Sequence, residues 1–253
     1  MLPEERKEQI IIMLNRDGNV TVKNLSEQFN VTEDCIRKDL TWLQNAGKLK
    51  KTYGGAMPVR ANTHMLEVKK RKNINLEAKK KIAKKAVEII KDNDMIFLDI
   101  STSSIEIAKL LVNSNKKITI VTNMLEIIRE LSTSTDIKLI CIGGQLNRGQ
   151  EGFIGSMSIE MINKFCFDLT FMGTVGINIE GNKVYTYDVD DGITKQTAVK
   201  ASRKAYLMCE AEKFKMDGNY CYSDIENFTA IITDDKLTET DKKLANKYNI
   251  KVI

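Results

Sequence analysis

From Met95 onward, short apolar runs recur with amphipathic stretches between them, and this alternation limits the folds available. The runs are MIFLDI (95–100), ITIVT (118–122), IKLICI (137–142), LTFMGTVGI (169–177), AYLMCE (205–210), TAIIT (229–233) and IKVI (250–253). Helical patterns lie between most of them, at Ile105–Val112, Leu125–Leu131, Ser156–Phe165, Asp191–Ser202 and Thr238–Tyr248. Fully apolar strands joined by helices call for a mostly parallel sheet covered on both faces, so the fold class is α/β. Asn182-Lys183 within IEGNKVYTYD marks a hairpin insertion that interrupts the alternation.

The first sixty residues follow a different rule. Ile10, Met13 and Leu14 give one helical stripe, which Asp17-Gly18-Asn19 ends. Thr21 caps a short helix carrying Val22, Leu25 and Phe29 on one face, and Asn30-Val31 turns the chain. A third helix starts at Thr32, with Glu33 and Asp34 in its first turn and Ile36, Leu40 and Leu43 facing a core. Arg37, Lys38, Thr41 and Gln44 fall off that stripe. Gly47 ends the helix, and Lys48, Lys50, Lys51 and Tyr53 lead to the turn Gly54-Gly55. Three helices and a basic hairpin make a winged helix-turn-helix plan. The off-stripe residues would face base edges or flanking phosphates. Lys48, Lys50, Lys51 and Tyr53 would grip backbone, with Thr32 at the helix start.

The expected organisation is therefore a DNA-binding domain at 1–57, a linker at 58–75 and an α/β domain at 76–253. The linker holds Pro58, the lone histidine His64 and the run Lys69-Lys70-Arg71-Lys72. The helix after it, Leu76–Ile90, carries Lys79, Lys80, Lys81, Lys84 and Lys85 opposite Ile82, Ala83, Ala86, Val87 and Ile90. A solvated face accounts for these lysines better than contact with DNA does.

In parallel α/β sheets, ligands sit beyond the carboxyl ends of the strands. The first such end reads Asp99-Ile100-Ser101-Thr102-Ser103-Ser104. Hydroxyls and free N–H groups there meet a helix start, which suits an anion such as phosphate, though an ordinary Ser/Thr cap explains the same residues. Thr122-Asn123 and Gly143-Gly144 mark two further ends, each also readable as a simple turn. Lys195, on the helix after the hairpin, and Glu210 with Lys213 form a fourth group able to neutralise an anion or hold hydroxyls.

Several chemistries lack their parts. One histidine removes Ser-His-Asp, Cys-His and zinc-histidine sites, and no spacing marks a paired acid and base, so no catalytic residue, metal or cofactor is assigned. Neither GxGxxG nor GxxxxGK[ST] is present. Five scattered cysteines without a CxxC pair suit a reducing compartment. The start MLPEERKEQ is charged at once and no run of eighteen apolar residues occurs, so the expectation is a cytoplasmic protein without a membrane partner. The net charge of +5 is too modest to establish a nucleic-acid partner by itself.

These residues resemble the DeoR family of bacterial sugar-operon repressors over essentially the whole chain. The family's helix-turn-helix signature has its counterparts at Thr32, Cys35-Ile36-Arg37-Lys38-Asp39-Leu40 and Gly54-Gly55-Ala56. Cys35 and Lys38 stand where the family usually has threonine and arginine, and lysine lacks the bidentate fork. In the second half the family's Asp-x-Gly-Thr-Thr loop is similar to Asp99-Ile100-Ser101-Thr102-Ser103, with Ser101 in place of glycine. Its Thr-Asn, Gly-Gly and helix lysine fall at Thr122-Asn123, Gly143-Gly144 and Lys195. Its Asp-x-x-Lys-Phe falls at Glu210-Ala211-Glu212-Lys213-Phe214, and the following-loop glycine is Gly152 or Gly155.

The resemblance implies a repressor whose C-terminal domain, similar to phosphosugar isomerases, binds a phosphorylated sugar and thereby sets affinity for double-stranded operator DNA. Repeated half-sites imply a homo-oligomer, either dimer or tetramer. Two other readings stay open. One is a phosphosugar isomerase with a DNA-binding appendage, using Glu210 and Lys213. The other is an adaptor whose helices dock on another regulator.

Overall fold

A computed structural model describes residues 2–17, 19–58 and 68–253. The chain divides into two compact units at Ala61/Asn62.

Two threonine caps shape the first unit. It runs α1 (Pro3–Asp17), β1 (Val20–Thr21), α2 (Val22–Phe29), α3 (Glu33–Asn45), β2 (Leu49–Thr52) and β3 (Gly55–Pro58). The Thr21 hydroxyl accepts from Asn24 N–H at 3.2 Å, and that of Thr32 from Cys35 N–H at 3.3 Å. Each satisfies a first-turn donor that its helix leaves unpaired. Between them Asn30 takes φ 51°, the left-handed turn that stops α2 and redirects the chain into α3. β2 and β3 pair antiparallel around Gly54 at φ +85°, and β1 adds to the other side of β3. Ile10, Leu14, Leu25, Ile36, Leu40 and Leu49 are fully buried between helices and hairpin.

An ion pair is buried in the same unit. Arg6 Nε on α1 donates to Asp39 Oδ2 on α3 at 2.6 Å, and Nη2 donates to Cys35 Sγ at 3.1 Å. The bond to Asp39 holds the Arg6 guanidinium above its ordinary value. Asp39 thus fixes α3 against α1 from the inner side of the helix.

The second unit is built on six parallel strands. They are β4 (Met95–Leu98), β5 (Thr119–Thr122), β6 (Lys138–Cys141), β9 (Phe167–Gly173), β12 (Ser202–Met208) and β14 (Ala230–Ile232), in the order β14-β12-β9-β4-β5-β6. Successive side chains alternate between faces. Ile96, Leu98, Phe171 and Met208 pack under α5 (Leu76–Ile89), α6 (Thr102–Val112) and α7 (Leu125–Leu131). Phe97, Val121, Met172 and Leu207 pack with α8 (Ser156–Ile162), α9 (Val189–Lys200) and α10 (Glu239–Lys247). The expected α/β class and winged helix-turn-helix plan are both present.

Four features depart from or add to the sequence reading. The stretch expected as a linker, 58–75, contains α4 (Val68–Asn73), while residues 59–67, His64 among them, lie outside the described residues. Six residues with one apolar position, Val68, carry no legible periodicity. The expected strand 250–253 lies parallel beside β14 as the single bridge Ile231–Val252, where Ile231 N–H donates to Lys251 O, Ile253 N–H to Ile231 O and Thr233 N–H to Ile253 O. The hairpin around Asn182 forms from β10 (Gly176–Asn178) and β11 (Lys183–Thr186), and β13 (Tyr220–Ser223), unforeseen, joins it. A second hairpin, β7 (Gln145–Asn147) and β8 (Gly152–Ile154), fills the polar loop after β6. Among the described residues no helix is long and apolar enough to cross a membrane.

Removing one partner of a buried ion pair leaves the other charged and unsatisfied, at a cost of about 3–5 kcal/mol. Asp39→Ala is therefore expected to unfold the first unit near ambient temperature while the second keeps its melting transition. Calorimetry on the full chain checks this. Unchanged melting of both units would show that the pair contributes nothing.

Candidate functional site

The carboxylate of Asp99, at the end of β4, organises the second unit's cleft. Its Oδ1 accepts from Ser104 Oγ at 2.9 Å. Its Oδ2 accepts from Gly173 N–H at 2.9 Å and from Lys195 Nζ at 2.5 Å. One side chain thus joins β4, the first turn of α6, the end of β9 and α9. Gly173 is required here, since an added Cβ would stand 2.5 Å from Ser101 Cβ. Lys195 also lies 3.5 Å from Asp191 Oδ1, and Asp191 Oδ2 accepts from Thr186 Oγ at 2.7 Å. Burial pushes the Asp191 carboxyl up, against the pull of Lys195. Burial works against the Lys195 ammonium, but Asp191 and Asp99 outweigh it and leave its pKa raised.

Beside this knot is a small cleft of about 80 Å³ that opens to solvent. Ser101, Thr102 and Ser103 form one wall at the start of α6, where Ser101 Oγ accepts from Ser104 N–H at 3.1 Å. The N–H groups of Thr102 and Ser103 have no acceptor within their own helix. Four cations line the cleft, Arg71, Lys79, Lys195 and Lys213, against two carboxylates, Glu210 and Glu212. Lys213 Nζ donates to Glu210 Oε1 at 3.2 Å and to Thr174 O at 3.1 Å. A helix start with excess positive charge around it favours an anion.

Two of these cations were not foreseen. Lys79 belongs to the lysine-rich helix expected to be a solvated face, and Lys80, Lys81 and Lys84 are indeed exposed. Lys79 itself is 4% exposed, and its Nζ donates to the carbonyls of Arg71 at 2.7 Å and Ile74 at 2.6 Å. Burial pushes its pKa down to about 8, with Lys213 and Arg71 acting the same way and Glu210 opposing. Arg71 comes from α4 and is 9% exposed. Only a recognised helix at 68–73 could have signalled that this one member of a lysine run turns inward.

The structure gathers Asp99, Ser101, Thr102, Ser103, Lys195, Glu210 and Lys213 at or around one cleft. It does not bring the other four expected residues to its lining. Thr122 Oγ donates to Leu98 O at 2.8 Å, which ties β5 to β4. Asn123 Nδ2 donates to Phe153 O at 2.8 Å, securing β8. Gly143 O accepts from Ser158 Oγ at 2.8 Å, and Gly144, at φ +148°, leads into β7. These strand ends lie further along the sheet and hold the β7–β8 hairpin.

In the first unit the expected residues occupy the outer side of α3 and the wing. Arg37, Lys38, Thr41, Gln44, Lys48, Lys50 and Tyr53 are exposed, and Lys51 is half-buried. Thr32 caps α3. Arg37 is held by Glu33 at 2.6 Å and Asp34 at 2.7 Å. Thr41 Oγ accepts from Lys51 Nζ at 2.8 Å, and Gln44 Oε1 accepts from Lys51 N–H at 2.9 Å. Thr41 and Gln44 therefore brace the wing against α3, a role that their off-stripe positions alone did not disclose.

A winged helix-turn-helix unit followed by an α/β unit with a cationic cleft defines the class of DNA-binding regulators that carry their own sensor. Residues 6–61 match the DeoR-like helix-turn-helix domain and residues 74–235 the DeoR C terminal sensor domain, so the chain belongs to the DeoR family of transcriptional regulators. It is 31% identical over 237 residues to the HTH-type transcriptional regulator FruR of Bacillus subtilis, with 92% of each chain covered. It is 28% identical to the L-fucose operon activator of Haemophilus influenzae, with 98% of each chain covered. It is also 28% identical to the lactose phosphotransferase system repressor of Lactococcus lactis, covering 94% of this chain and 93% of that one. Among solved structures, ribose 5-phosphate isomerase A of Methanocaldococcus jannaschii aligns with 55% of each chain at 14% identity and a TM-score of 0.42, too slight a likeness to bear on function.

Lys79 gives a pH signature. Between about 8 and 10.5 the folded chain has released a proton that the unfolded chain still holds, so the contribution of Lys79 to stability rises with pH through that window. Urea unfolding of the parent and Lys79→Met at pH 7 and pH 10 (about one unit below the folded value and near the unfolded one) checks it. The parent should gain on the variant at the higher pH, and a constant difference would refute the assignment.

Proposed function

We propose that this chain represses a carbohydrate-metabolism operon in the cytoplasm. It binds operator DNA through α3 and the β2–β3 wing, and a phosphorylated sugar in the cleft sets its affinity for that DNA. The observation that carries this reading is the cleft itself. Four cations surround the start of α6, and Glu210 beside them offers an acceptor for sugar hydroxyls. A phosphate would sit against the Thr102 and Ser103 N–H groups, with the sugar toward Glu210 and Lys213. The names of the fucose and lactose relatives support a carbohydrate as the signal and include both an activator and a repressor.

In the first unit, Lys48 and Lys50 are free to meet phosphates, while Arg37, Lys38 and Tyr53 present the outer surface of helix and wing. Repeated half-sites make a dimer or tetramer the expected assembly. No turnover is assigned to the cleft. Asp99 and Lys195 are engaged with each other, and Lys213 is held by Glu210 and a carbonyl. An effector changes operator affinity by no more than its preference for one state, typically ~1–3 kcal/mol.

Two measurements test this reading. A thermal-shift panel of fructose 1-phosphate, fructose 6-phosphate, galactose 6-phosphate, ribose 5-phosphate and their unphosphorylated sugars should yield a phosphorylated hit. Saturation near a hundred times Kd would stabilise the sensor unit by about 2.7 kcal/mol. A response to free sugars alone would sink the anion assignment. Operator affinity should also fall steeply between low and physiological salt, with a shallower slope in Lys48→Ala/Lys50→Ala. A flat salt response in the parent would count against the DNA face described.

A further inference from the structure

The side chain of Arg71 has a singular environment in the cleft wall. It is nine-tenths buried, yet Nε and Nη2 have no hydrogen-bond partner. The other cleft cations are engaged. Lys195 is bonded to Asp99, Lys213 to Glu210 and Thr174 O, and Lys79 to two backbone carbonyls. Buried polar groups are normally satisfied, and an arginine fork matches two oxygens of a phosphate or carboxylate. Asp99 and Asp191 favour the guanidinium charge from a distance, against the burial that lowers its pKa. Neither carboxylate bonds to it.

Arg71 also lies on a helix with a light hold on its unit. α4 has a single buried apolar residue, Val68. It is otherwise fastened by polar contacts. Val68 N–H donates to Gly149 O at 3.3 Å, Lys72 pairs with Glu126, and Lys79 Nζ gathers the carbonyls of Arg71 and Ile74. In sequence α4 directly follows residues 59–67, which connect it to the DNA-binding unit. A ligand oxygen satisfying Arg71 would therefore add a fastening to the first element on the sensor side of that connection.

We propose that Arg71 is an anion-binding residue of the cleft, and that through it an anionic group of the effector fastens α4 to the sensor body. This rests on the reading of the cleft as an anion site and adds the residue through which occupancy reaches the chain leading to the DNA-binding unit. By linkage, whatever secures α4 raises affinity for the anion, and the anion secures α4 in the same measure.

The test uses the full chain, with inorganic phosphate as the probe. The parent, Arg71→Met, Arg71→Lys and Lys80→Met are compared by calorimetric titration and by amide exchange over Val68–Asn73. Lys80 is exposed on the neighbouring helix, so its variant controls for simple loss of positive charge. Phosphate affinity should fall about tenfold or more in Arg71→Met, as for loss of a charged hydrogen bond. It should recover in part in Arg71→Lys and stay unchanged in Lys80→Met. Phosphate should slow exchange across α4 in the parent but not in Arg71→Met. Equal affinity in Arg71→Met and the parent overturns the role of Arg71 while leaving the anion cleft standing. A parent that binds no phosphate overturns both. Normal loss of affinity without any slowing of α4 exchange in the parent overturns the fastening. Should Arg71→Met lose its native circular dichroism, Arg71→Lys decides, because undiminished affinity there shows that the fork is not used.

Discussion

One buried carboxylate, that of Asp99, joins four elements of the sensor unit beside the cleft. Asp99 accepts from the Ser104 hydroxyl, the Gly173 amide and the Lys195 ammonium, and so fixes a helix start, a strand end and a second helix at a single point. Such a group is costly to bury unless it is hydrogen-bonded and paired with a cation, and three donors, one of them an ammonium, meet that need here. Lys195 also lies near a second carboxylate, that of Asp191, itself held by Thr186. The cleft wall is thus set by a closed charge network behind it. Thr102 and Ser103 line the cleft in the first turn of α6, which Asp99 and the Ser101 cap hold in place.

How much of this was legible follows from which interactions leave a periodic trace. Parallel strands buried on both faces leave one, and MIFL, TIVT and AII all became strands of the six-stranded sheet. Caps leave one too, since Thr21, Ser101 and Thr238 each accept from a first-turn N–H three residues on. Arg71 and Lys79 left none. A buried cation has the same letter as an exposed one, and only the tertiary arrangement of α4 against α5 turns them inward. Thr122, Asn123 and the two glycines show the opposite case. Polar residues at strand ends suggest ligand contacts, and here Thr122, Asn123 and Gly143 bond to neighbouring strands, the β7–β8 hairpin and Ser158, away from the cleft lining. Strand-end position identifies a place where polar atoms are needed, and those atoms serve either ligand or chain.

The first unit shows the same division of labour within one helix. Asp39 lies on the inner side of α3 and locks it to α1 through Arg6. Thr41 and Gln44 lie on the outer side, where base contact would be expected, yet both bond to Lys51 of the wing. Bracing of this kind fixes the angle between helix and wing before any duplex is met, which lowers the ordering cost of binding. It also leaves Arg37 and Lys38 as the exposed basic groups of α3. Arg37 is held by Glu33 and Asp34, an exposed arrangement worth little to stability but able to limit where the fork points.

Prior engagement of charges also bears on which anion the cleft would prefer. Lys195, Lys213 and Lys79 each have acceptors already, so a small anion that only took their charge would have to compete with carboxylates and carbonyls in place. Arg71 Nε and Nη2 and the first-turn amides of α6 have no such competitor, and on the proposed reading they would together supply donors to one phosphate group. The remaining wall, Glu210 with Thr174 and Val175, offers acceptors and apolar surface that a bare phosphate leaves unused. A polyhydroxyl chain attached to the phosphate would use them, donating to Glu210 while its oxygens accept from Lys213. Selectivity for a phosphorylated sugar over free phosphate would then come from the pre-paired half of the cleft, and selectivity over free sugar from the unpaired half.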